Sequence, residues 1–318
     1  MDFGEKWKNA PIVFFTYNRA SHARKAIDSL LKCPEAPQTD IFIYSDGPKC
    51  ESDREKVRDN RTFINSISGF KSITIVEREK NWGLANSLID GITTTVNRYG
   101  KVIVVEDDLV VSPYFLRYMN DALCKYADDD RISAVSAFLN PVRGRIPEYF
   151  FLRYFACWGW GTWKRGWDLF NPDVNDLISQ FKYDNQKYIY DIDGSAYFYS
   201  LLPSQAQGKI DSWASRFYAS SFLAGKLVLF PGRTMVVQTG MDGSGVHCGV
   251  NNHFKGMKVS EKPISLVEDI RIEASQKMYK KYKRFYQKCS GNDLWSRTKK
   301  FVFRVLRKTY HALTGSLT

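Results

Sequence analysis

The stretch Lys101–Pro113, which reads KVIVVEDDLVVSP, joins a run of β-branched residues directly to three carboxylates. The apolar run 102–105 predicts a strand that is buried on both faces, in the middle of a parallel sheet. Glu106, Asp107 and Asp108, the acidic triplet, follow at once. Three like charges beside a buried strand repel one another unless a positive charge lies among them. Because oxygen ligands suit Mg²⁺ and Mn²⁺, the triplet predicts a metal site, with a solvated acidic turn as the alternative.

Strand and helix patterns alternate four times in the first third of the chain. The predicted strands cover 11–17, 40–44, 72–76 and 101–105, and the helices between them cover 20–31, 51–67 and 84–99. This alternation predicts an α/β fold with a mostly parallel, Rossmann-like sheet flanked by helices. Further elements are expected at 112–125, 132–137, 213–223, 227–230 and 234–238. The aromatic-rich stretch 149–170 predicts no particular element.

The net charge of +12 is confined to one part of the chain. Between Lys277 and Lys308 there are twelve Lys or Arg and a single acidic residue, Asp293. A phosphate-binding surface across the whole domain is therefore excluded, and with it a nucleic-acid-binding function. The six cysteines form no CxxC pair, which favours free thiols in a reducing cytosol. No apolar stretch reaches the roughly 20 residues that a membrane span needs, so we expect a cytoplasmic protein.

Residues 266–318 are expected to form a basic helical tail. Within it, apolar residues recur at helical spacing, and basic residues occupy the other positions; the apolar set is Leu294, Trp295, Phe301, Val302, Val305, Leu306, Tyr310 and Leu313. A basic amphipathic helix indicates attachment to an anionic membrane surface, here the inner face of the membrane. A helix packed on its own domain is the alternative.

Polar residues follow each of the four predicted strands. They are Thr16-Tyr17-Asn18-Arg19, Ser45-Asp46, Asn81-Trp82-Gly83 and the acidic triplet. In parallel sheets, ligands bind at the carboxyl ends of the strands. We therefore expect these four segments to meet in one binding site.

Together these residues resemble the nucleotide-sugar glycosyltransferases of the GT-A fold. The Glu-Asp-Asp form followed by Leu-x-x-Ser-Pro-x-Phe is similar to the N-acetylglucosaminyltransferases that act on N-glycans and O-mannose. Asp211-Ser212-Trp213 with Arg216 resembles that family's Asp-x-Trp-Met-Arg segment, although one extra residue here separates Trp from Arg. The segment 245–249 resembles its Gly-Val-Ser-His-Gly loop, which closes over the donor pyrophosphate. The resemblance covers residues 10–255.

The resemblance implies a UDP-sugar donor and a Mn²⁺ or Mg²⁺ cofactor. Asp108 is then the metal ligand, with Glu106 and Asp107 on sugar or ribose hydroxyls. Asp46 accepts from the uracil N–H, and the base and phosphates are held by Thr16, Asn18 and Arg19. Asn81 and Gly83 either contact the donor or only cap a helix.

The second half of the chain supplies the remaining candidates. Asp211 matches the family's catalytic base, and its alternative role is to cap the helix that follows. Asp242 is the second candidate for the base. His247 either ligates the metal or contacts the pyrophosphate, or it is an exposed loop residue. The segment Trp158–Trp163 either forms a wall for the acceptor or packs in the core.

We therefore expect a metal-dependent, inverting hexosyl- or N-acetylhexosaminyltransferase. Its acceptor would be a glycan, such as a lipid-linked oligosaccharide in surface-polysaccharide assembly (O-antigen or capsule). The transferase domain would span 1–265, with a nucleotide-sugar half at 10–130 and an acceptor half at 131–265. A sugar-nucleotide pyrophosphorylase is one alternative, although it needs a Gly-rich loop after the first strand. A non-catalytic carbohydrate-binding protein is another, although it has no need of the acidic triplet.

Overall fold

The computed structural model describes residues 9–240, 252–267 and 269–290. The strands in these ranges are β1 Ile12–Thr16, β2 Asp40–Ser45, β3 Ser72–Glu77, β4 Lys101–Glu106, β5 Leu109–Val111, β6 Ile132–Ser136, β7 Tyr149–Leu152, β8 Trp160–Trp163, β9 Leu227–Pro231 and β10 Val236–Gln238. The helices are α1 Ala20–Leu30, α2 Arg54–Asn65, α3 Leu84–Tyr99, α4 Phe115–Lys125, α5 Lys164–Trp167, α6 Val174–Gln180, α7 Asp184–Tyr190, α8 Leu201–Ala206, α9 Trp213–Leu223 and α10 Gln276–Cys289.

Eight of these strands form one mixed sheet, in the order β3-β2-β1-β4-β8-β6-β9-β7. The first four strands pair in parallel, as the alternation of strands and helices predicts. Every residue of β1 is buried, which requires helices on both faces of the sheet. The predicted fold class, a mostly parallel α/β sheet flanked by helices, is confirmed.

The strand register brings four strand ends to one edge, which we call the carboxyl edge. Thr16 pairs with Ser45, and the residue before it, Phe15, pairs with Glu106. Ser45 in turn pairs with Glu77 at the end of β3. The polar segments that follow these strands therefore begin side by side, as the sequence predicts.

The second half of the chain returns to the same edge by two antiparallel pairings. β8 pairs antiparallel with β4, so that Trp160 lies opposite Val104 near the carboxyl edge. β10 pairs with β5 in a separate two-stranded sheet, in which Gln238 lies opposite Leu109. The N–H of the next residue, Thr239, donates to the carbonyl of Asp108 at 2.7 Å.

The tryptophans of the aromatic middle belong to the core. Trp160 and Trp163 lie in β8 and are buried, while Trp158 is partly buried beside Phe138. Trp160 stacks on Trp213 of α9, with ring centroids 5.3 Å apart. Of the two interpretations open from the sequence, core packing therefore holds for Trp160 and Trp163.

The folded domain extends beyond the boundary expected at residue 265. Met278 and Tyr282 of α10 are fully buried, so the first part of the predicted tail packs on the domain. The Tyr286 hydroxyl also lies 2.6 Å from that of Tyr154. The domain therefore reaches at least to Ser290, because the apolar face of α10 completes its core. The amphipathic stretch predicted at 294–313 lies outside the described residues, and no described helix is long and apolar enough to cross a membrane.

We predict that Tyr282→Ala destabilises the domain by about 3–5 kcal/mol, the cost of truncating a buried aromatic side chain. The ring packs against Phe150, Tyr154 and Phe230, and its loss would leave a cavity among them. Lys280→Ala, on the exposed side of the same helix, is the matched control and should change stability by less than about 0.5 kcal/mol. Urea unfolding followed by circular dichroism measures both. Equal stability of the two variants would mean that α10 is not part of the cooperative core.

Candidate active site

The acidic triplet is fixed where β4 turns into β5. The Asp107 N–H donates to the carbonyl of Phe15 at 3.0 Å, which continues the ladder between β1 and β4. The Asp107 side chain is buried, and its carboxylate lies 3.2 Å from the hydroxyl of Thr16. That hydroxyl is also 3.2 Å from the amide oxygen of Asn60, a buried residue of α2. Thr16 therefore acts within the protein by holding Asp107 in place.

Arg19 supplies the positive charge that a buried acidic cluster requires. Its Nη2 pairs with Asp107 and lies 3.2 Å from Asp108. Burial acts to lower the pKa of Arg19, but the two carboxylates outweigh it and leave the pKa raised. The other terminal nitrogen, Nη1, is buried and donates to no group in the described part of the chain. Nη1 of Arg19 is thus a buried donor without an acceptor among the described residues.

One guanidinium does not neutralise three carboxylates. Burial raises the pKa of Glu106 to about 8, with further contributions from the charges of Asp108 and Asp107 and opposition from Arg19. Burial also raises the pKa of Asp107, against the attraction of Arg19. The surroundings therefore disfavour full ionisation of the cluster, and an added cation would stabilise the ionised carboxylates.

The donor set fits a divalent cation that is shared with a substrate. Within the described residues, no three Asp, Glu, His or Cys side chains are close enough to enclose a metal ion by themselves. Mg²⁺ and Mn²⁺ accept such sites, because they commonly bind one or two carboxylates together with waters and substrate phosphates. Asp108 is suited to this role, because its side chain is the more exposed of the two carboxylates that Arg19 contacts, at 13% against 5% for Asp107.

Gly240 brings the chain against the triplet after β10. A Cβ atom at this position would lie 2.4 Å from the Asp108 carboxylate and 3.1 Å from Arg19 Nη1, so only glycine fits. Asp242 and His247 follow shortly after in sequence but lie outside the described residues. Their suggested roles stay predictions.

Asp46 holds together the loops that follow β2 and β3. Its Oδ1 accepts from the N–H groups of Gly47 and Trp82, at 3.0 and 2.8 Å, and its Oδ2 accepts from Gly83 at 2.9 Å. The Asn81 amide donates to the Gly47 carbonyl at 2.8 Å and joins the same two loops. Gly83, with φ of 75°, precedes α3 in a conformation that favours glycine. The capping role expected as an alternative is thus present for Gly83, whereas Asn81 joins two loops instead, and donor binding stays a prediction for both.

Asp53 holds two residues of the segment that follows β1 and was not found from the sequence. Its carboxylate accepts from the Tyr17 hydroxyl at 2.6 Å and from the Asn18 amide at 3.1 Å. The Tyr17 hydroxyl also accepts from the N–H of Lys49 at 2.8 Å. Asn18 is therefore oriented by the loop after β2 rather than by its own strand. No sequence pattern marks Asp53, which lies in a short 3₁₀ turn.

Asp211 is not the cap of the helix that follows it. Ser212 has that role, because its hydroxyl accepts from the N–H of Ser215 at 3.2 Å. Asp211 Oδ1 instead accepts from Gln205 Nε2 at 3.2 Å and from Arg216 Nη2 at 3.0 Å. Asp211 Oδ2 accepts no hydrogen bond from the described residues, and the side chain is 53% exposed. One carboxylate oxygen is therefore held and the other is left open to a ligand.

Gln205 and Arg216 clamp this carboxylate from two different helices. Gln205, in α8, also accepts from the N–H of Ser212 at 2.6 Å through its Oε1. Arg216, in α9, is largely buried, and burial lowers its pKa even though the charge of Asp211 acts to raise it. The extra residue between Trp213 and Arg216 does not prevent the contact, since Arg216 still reaches Asp211. Gln205 was not found from the sequence, because nothing in its helix marks it as functional.

A mostly parallel sheet with a carboxylate cluster and an arginine at its carboxyl edge is the arrangement expected of a GT-A glycosyltransferase. The GNT-I family profile matches residues 1–175, more than half of the 318 residues, and the chain belongs to this family. The matched range contains all the candidate residues of the carboxyl edge but not Asp211. The search of curated proteins finds no match.

Two solved structures are similar to this chain at low identity. The mannosyltransferase PcManGT from Pyrobaculum calidifontis, in complex with GDP-Man and Mn²⁺, is 14% identical over 68% of this chain and 69% of its own, with a TM-score of 0.40. S. aureus TarS 1-349 is 13% identical over 73% of this chain and 61% of its own, with a TM-score of 0.41. At these TM-scores, neither structure supports an argument about substrates.

We predict that Asp46→Asn destabilises the domain by about 1–3 kcal/mol, the cost of leaving buried N–H groups unsatisfied. The amide cannot accept at both ends, so at least one of the N–H groups of Gly47, Trp82 and Gly83 loses its partner. Asp28→Asn, an exposed position in α1, removes the same charge and should be nearly neutral. Urea unfolding compares the two variants. If Asp46→Asn is as stable as Asp28→Asn, the carboxylate does not hold the loops together.

Proposed function

We propose that this protein transfers a hexose or N-acetylhexosamine from a UDP-sugar to a hydroxyl group of a glycan, with inversion, using Mn²⁺ or Mg²⁺. The main support is the carboxyl edge, where three carboxylates share a single guanidinium. That excess of negative charge suits a cation that arrives with a nucleotide diphosphate. A protein that only binds sugars has no use for such a cluster of carboxylates.

Each residue of the carboxyl edge is assigned a contact with one part of the donor. Arg19 offers its unused Nη1 to a phosphate, a group that guanidinium donors recognise well. A divalent ion at Asp108 would supply Lewis-acid stabilisation to the departing pyrophosphate. Glu106 and Asp107 would accept from sugar or ribose hydroxyls, and Asp46 would accept from the uracil ring. The remaining donor contacts are proposed for Thr16, Asn18, Asn81 and Gly83, with His247 as a further ligand of the metal or the pyrophosphate.

Asp211 is proposed as the general base, with Asp242 as the second candidate. A base must reach the acceptor hydroxyl and keep a lone pair free for its proton. Oδ2 of Asp211 meets the second condition, while Gln205 and Arg216 hold Oδ1. Asp211 is also linked to the carboxyl edge, because the nearby Trp213 stacks on Trp160, which pairs with Val104 of β4.

We predict that Asp108→Asn keeps the fold and abolishes metal-dependent turnover. The amide is nearly isosteric but lacks the charge that a hard divalent cation requires. Hydrolysis of UDP-N-acetylglucosamine and UDP-glucose with and without Mn²⁺ measures the effect. Asp129→Asn, outside the carboxyl edge, is the control. If Asp108→Asn retains full activity in the presence of EDTA, the metal assignment is wrong.

We predict that Asp211→Asn retains UDP-sugar binding and loses transfer by roughly 10²-fold or more, as expected for a general base. Gln205→Leu should lose roughly tenfold to a hundredfold in kcat, with little change in the donor KM, because it only misplaces the base. Gln207→Leu, an exposed neighbour of the same residue type, is the control. Normal transfer by Asp211→Asn together with an inactive Asp242→Asn would identify the other carboxylate as the base. A product that retains the donor's anomeric configuration would exclude the inverting mechanism.

The proposed acceptor is a lipid-linked oligosaccharide at the inner face of a membrane. The support for this is the basic sequence of 277–308, whose described part gives α10 exposed cations at Lys277, Lys280, Arg284 and Lys288. Their spacing places these cations on one side of the helix. Such a stripe, continued by the amphipathic stretch of 294–313, suits an anionic lipid surface.

We predict that a chain ending at Ser290 binds anionic liposomes more weakly than the full chain but keeps transfer to a short soluble acceptor. Binding of the full chain should weaken as salt rises, because added ions screen the basic residues. Sedimentation with phosphatidylglycerol and with phosphatidylcholine liposomes measures both effects. If the full chain does not bind anionic liposomes at low salt, the membrane proposal fails.

A further inference from the structure

Trp82 has a large aromatic side chain that is exposed to solvent. Its residue is 44% exposed, although it lies between Asp46 and α3 at the carboxyl edge. The inner face of the indole rests on Arg78, whose Cζ is 3.5 Å from the ring centroid. The Arg78 side chain is only 10% exposed and pairs with Asp90 of α3. The contact with Arg78 therefore fixes one face of the ring, while the opposite face stays accessible to a ligand.

A groove of about 730 Å³ runs from this ring along α3, and we call it the Trp82 groove. Its size suits a small ligand. Five of its seven lining residues have polar side chains, with amide, carboxylate and hydroxyl groups contributed by Asn81, Asn86, Asp90, Thr93 and Thr94. Among the residues that the structure describes, no lysine or arginine lines it. It therefore lacks the cations that a phosphate ligand would need.

Several acceptor atoms in the groove are unused within the described part of the chain. The amides of Asn81 and Asn86 donate to the carbonyls of Gly47 and Trp82, so their Oδ1 atoms point away from these bonds. Asp90 pairs with Arg78 through Oδ2 alone. Oxygen acceptors beside an exposed indole match a ligand that has hydroxyl donors around its rim and an apolar C–H face.

We propose that the Trp82 groove binds a neutral pyranose ring, which stacks on Trp82 and donates hydroxyls to Asn81, Asn86 and Asp90. A nucleobase would also stack on the indole, but it carries few donors to satisfy three acceptors. An apolar ligand would leave them unsatisfied, at a cost. The groove thus has the chemistry of a sugar subsite.

The groove is also linked to the proposed base. Thr93 accepts from the indole N–H of Trp167 at 2.8 Å, and Trp167 stacks on Phe170 at 4.7 Å. Arg216, which holds Asp211, has its Cζ 5.7 Å from the ring centroid of Phe170. We assign a sugar in the groove to a further residue of the acceptor glycan, an assignment that rests on the proposed function. Binding of the sugar itself does not depend on catalysis.

The test uses the full-length protein labelled with 5-fluorotryptophan, with the Trp82 resonance assigned by its absence in Trp82→Phe. The labelled protein is titrated with methyl β-glucoside, N-acetylglucosamine and galactose, and separately with sorbitol and with UDP. We expect at least one pyranose to shift the Trp82 resonance in a saturable way, and sorbitol to have no effect. Asn86→Leu should weaken that binding roughly two- to tenfold, the range of one hydrogen bond. Asn97→Leu, exposed near the end of the same helix, should not.

Two results would overturn the proposal. If none of the pyranoses moves the Trp82 resonance, the groove is not a sugar subsite. If UDP moves it and no pyranose does, Trp82 is a platform for the base of the donor. Because the titration needs no turnover, failure here is distinct from failure of the proposed transferase activity, which the Asp108 and Asp211 variants test.

Discussion

The contact between Arg19 and the acidic triplet is the interaction on which this site depends. β4 is buried along its length and ends in three carboxylates, an arrangement that costs free energy without a counter-charge. Arg19, at the end of β1, supplies that charge because the parallel register brings the two strand ends together. Thr16, the last residue of β1, also holds Asp107, so the central strands themselves position the acidic triplet. The fold therefore specifies the position of the charges as well as their number.

This arrangement explains why we assign the metal to a shared site. One guanidinium does not suffice to keep all three carboxylates ionised, as the raised pKa of Glu106 indicates, and an added cation would favour their ionised form. The protein nevertheless offers no closed set of ligands within its described residues. A cation would then bind well only when a second anionic group completes its coordination, and a nucleotide diphosphate supplies that group. On this account, the metal and the donor assemble together.

The sequence predicted the elements that have a uniform apolar pattern. It missed those in which glycine or lysine residues interrupt that pattern. The apolar runs of β1 and β4 mark buried strands without ambiguity. β8 did not stand out, because Gly161 interrupts it, yet that glycine is required where a Cβ would lie 2.8 Å from the Val102 carbonyl. The lysines of α10 indicated a separate tail and masked the contribution of Met278 and Tyr282 to the core. Gln205 and Asp53 were missed because their roles come from tertiary contacts that leave no local pattern.

The central claim, that Asp108 holds a divalent cation shared with the donor, is tested most directly by electron paramagnetic resonance of Mn²⁺. The signal of free Mn²⁺ is followed as protein is added, first alone and then with UDP. We expect the protein to remove little Mn²⁺ from solution by itself and to bind it stoichiometrically once UDP is present. Stoichiometric binding without UDP would contradict the shared site. UDP binding with no uptake of Mn²⁺ would contradict the metal dependence.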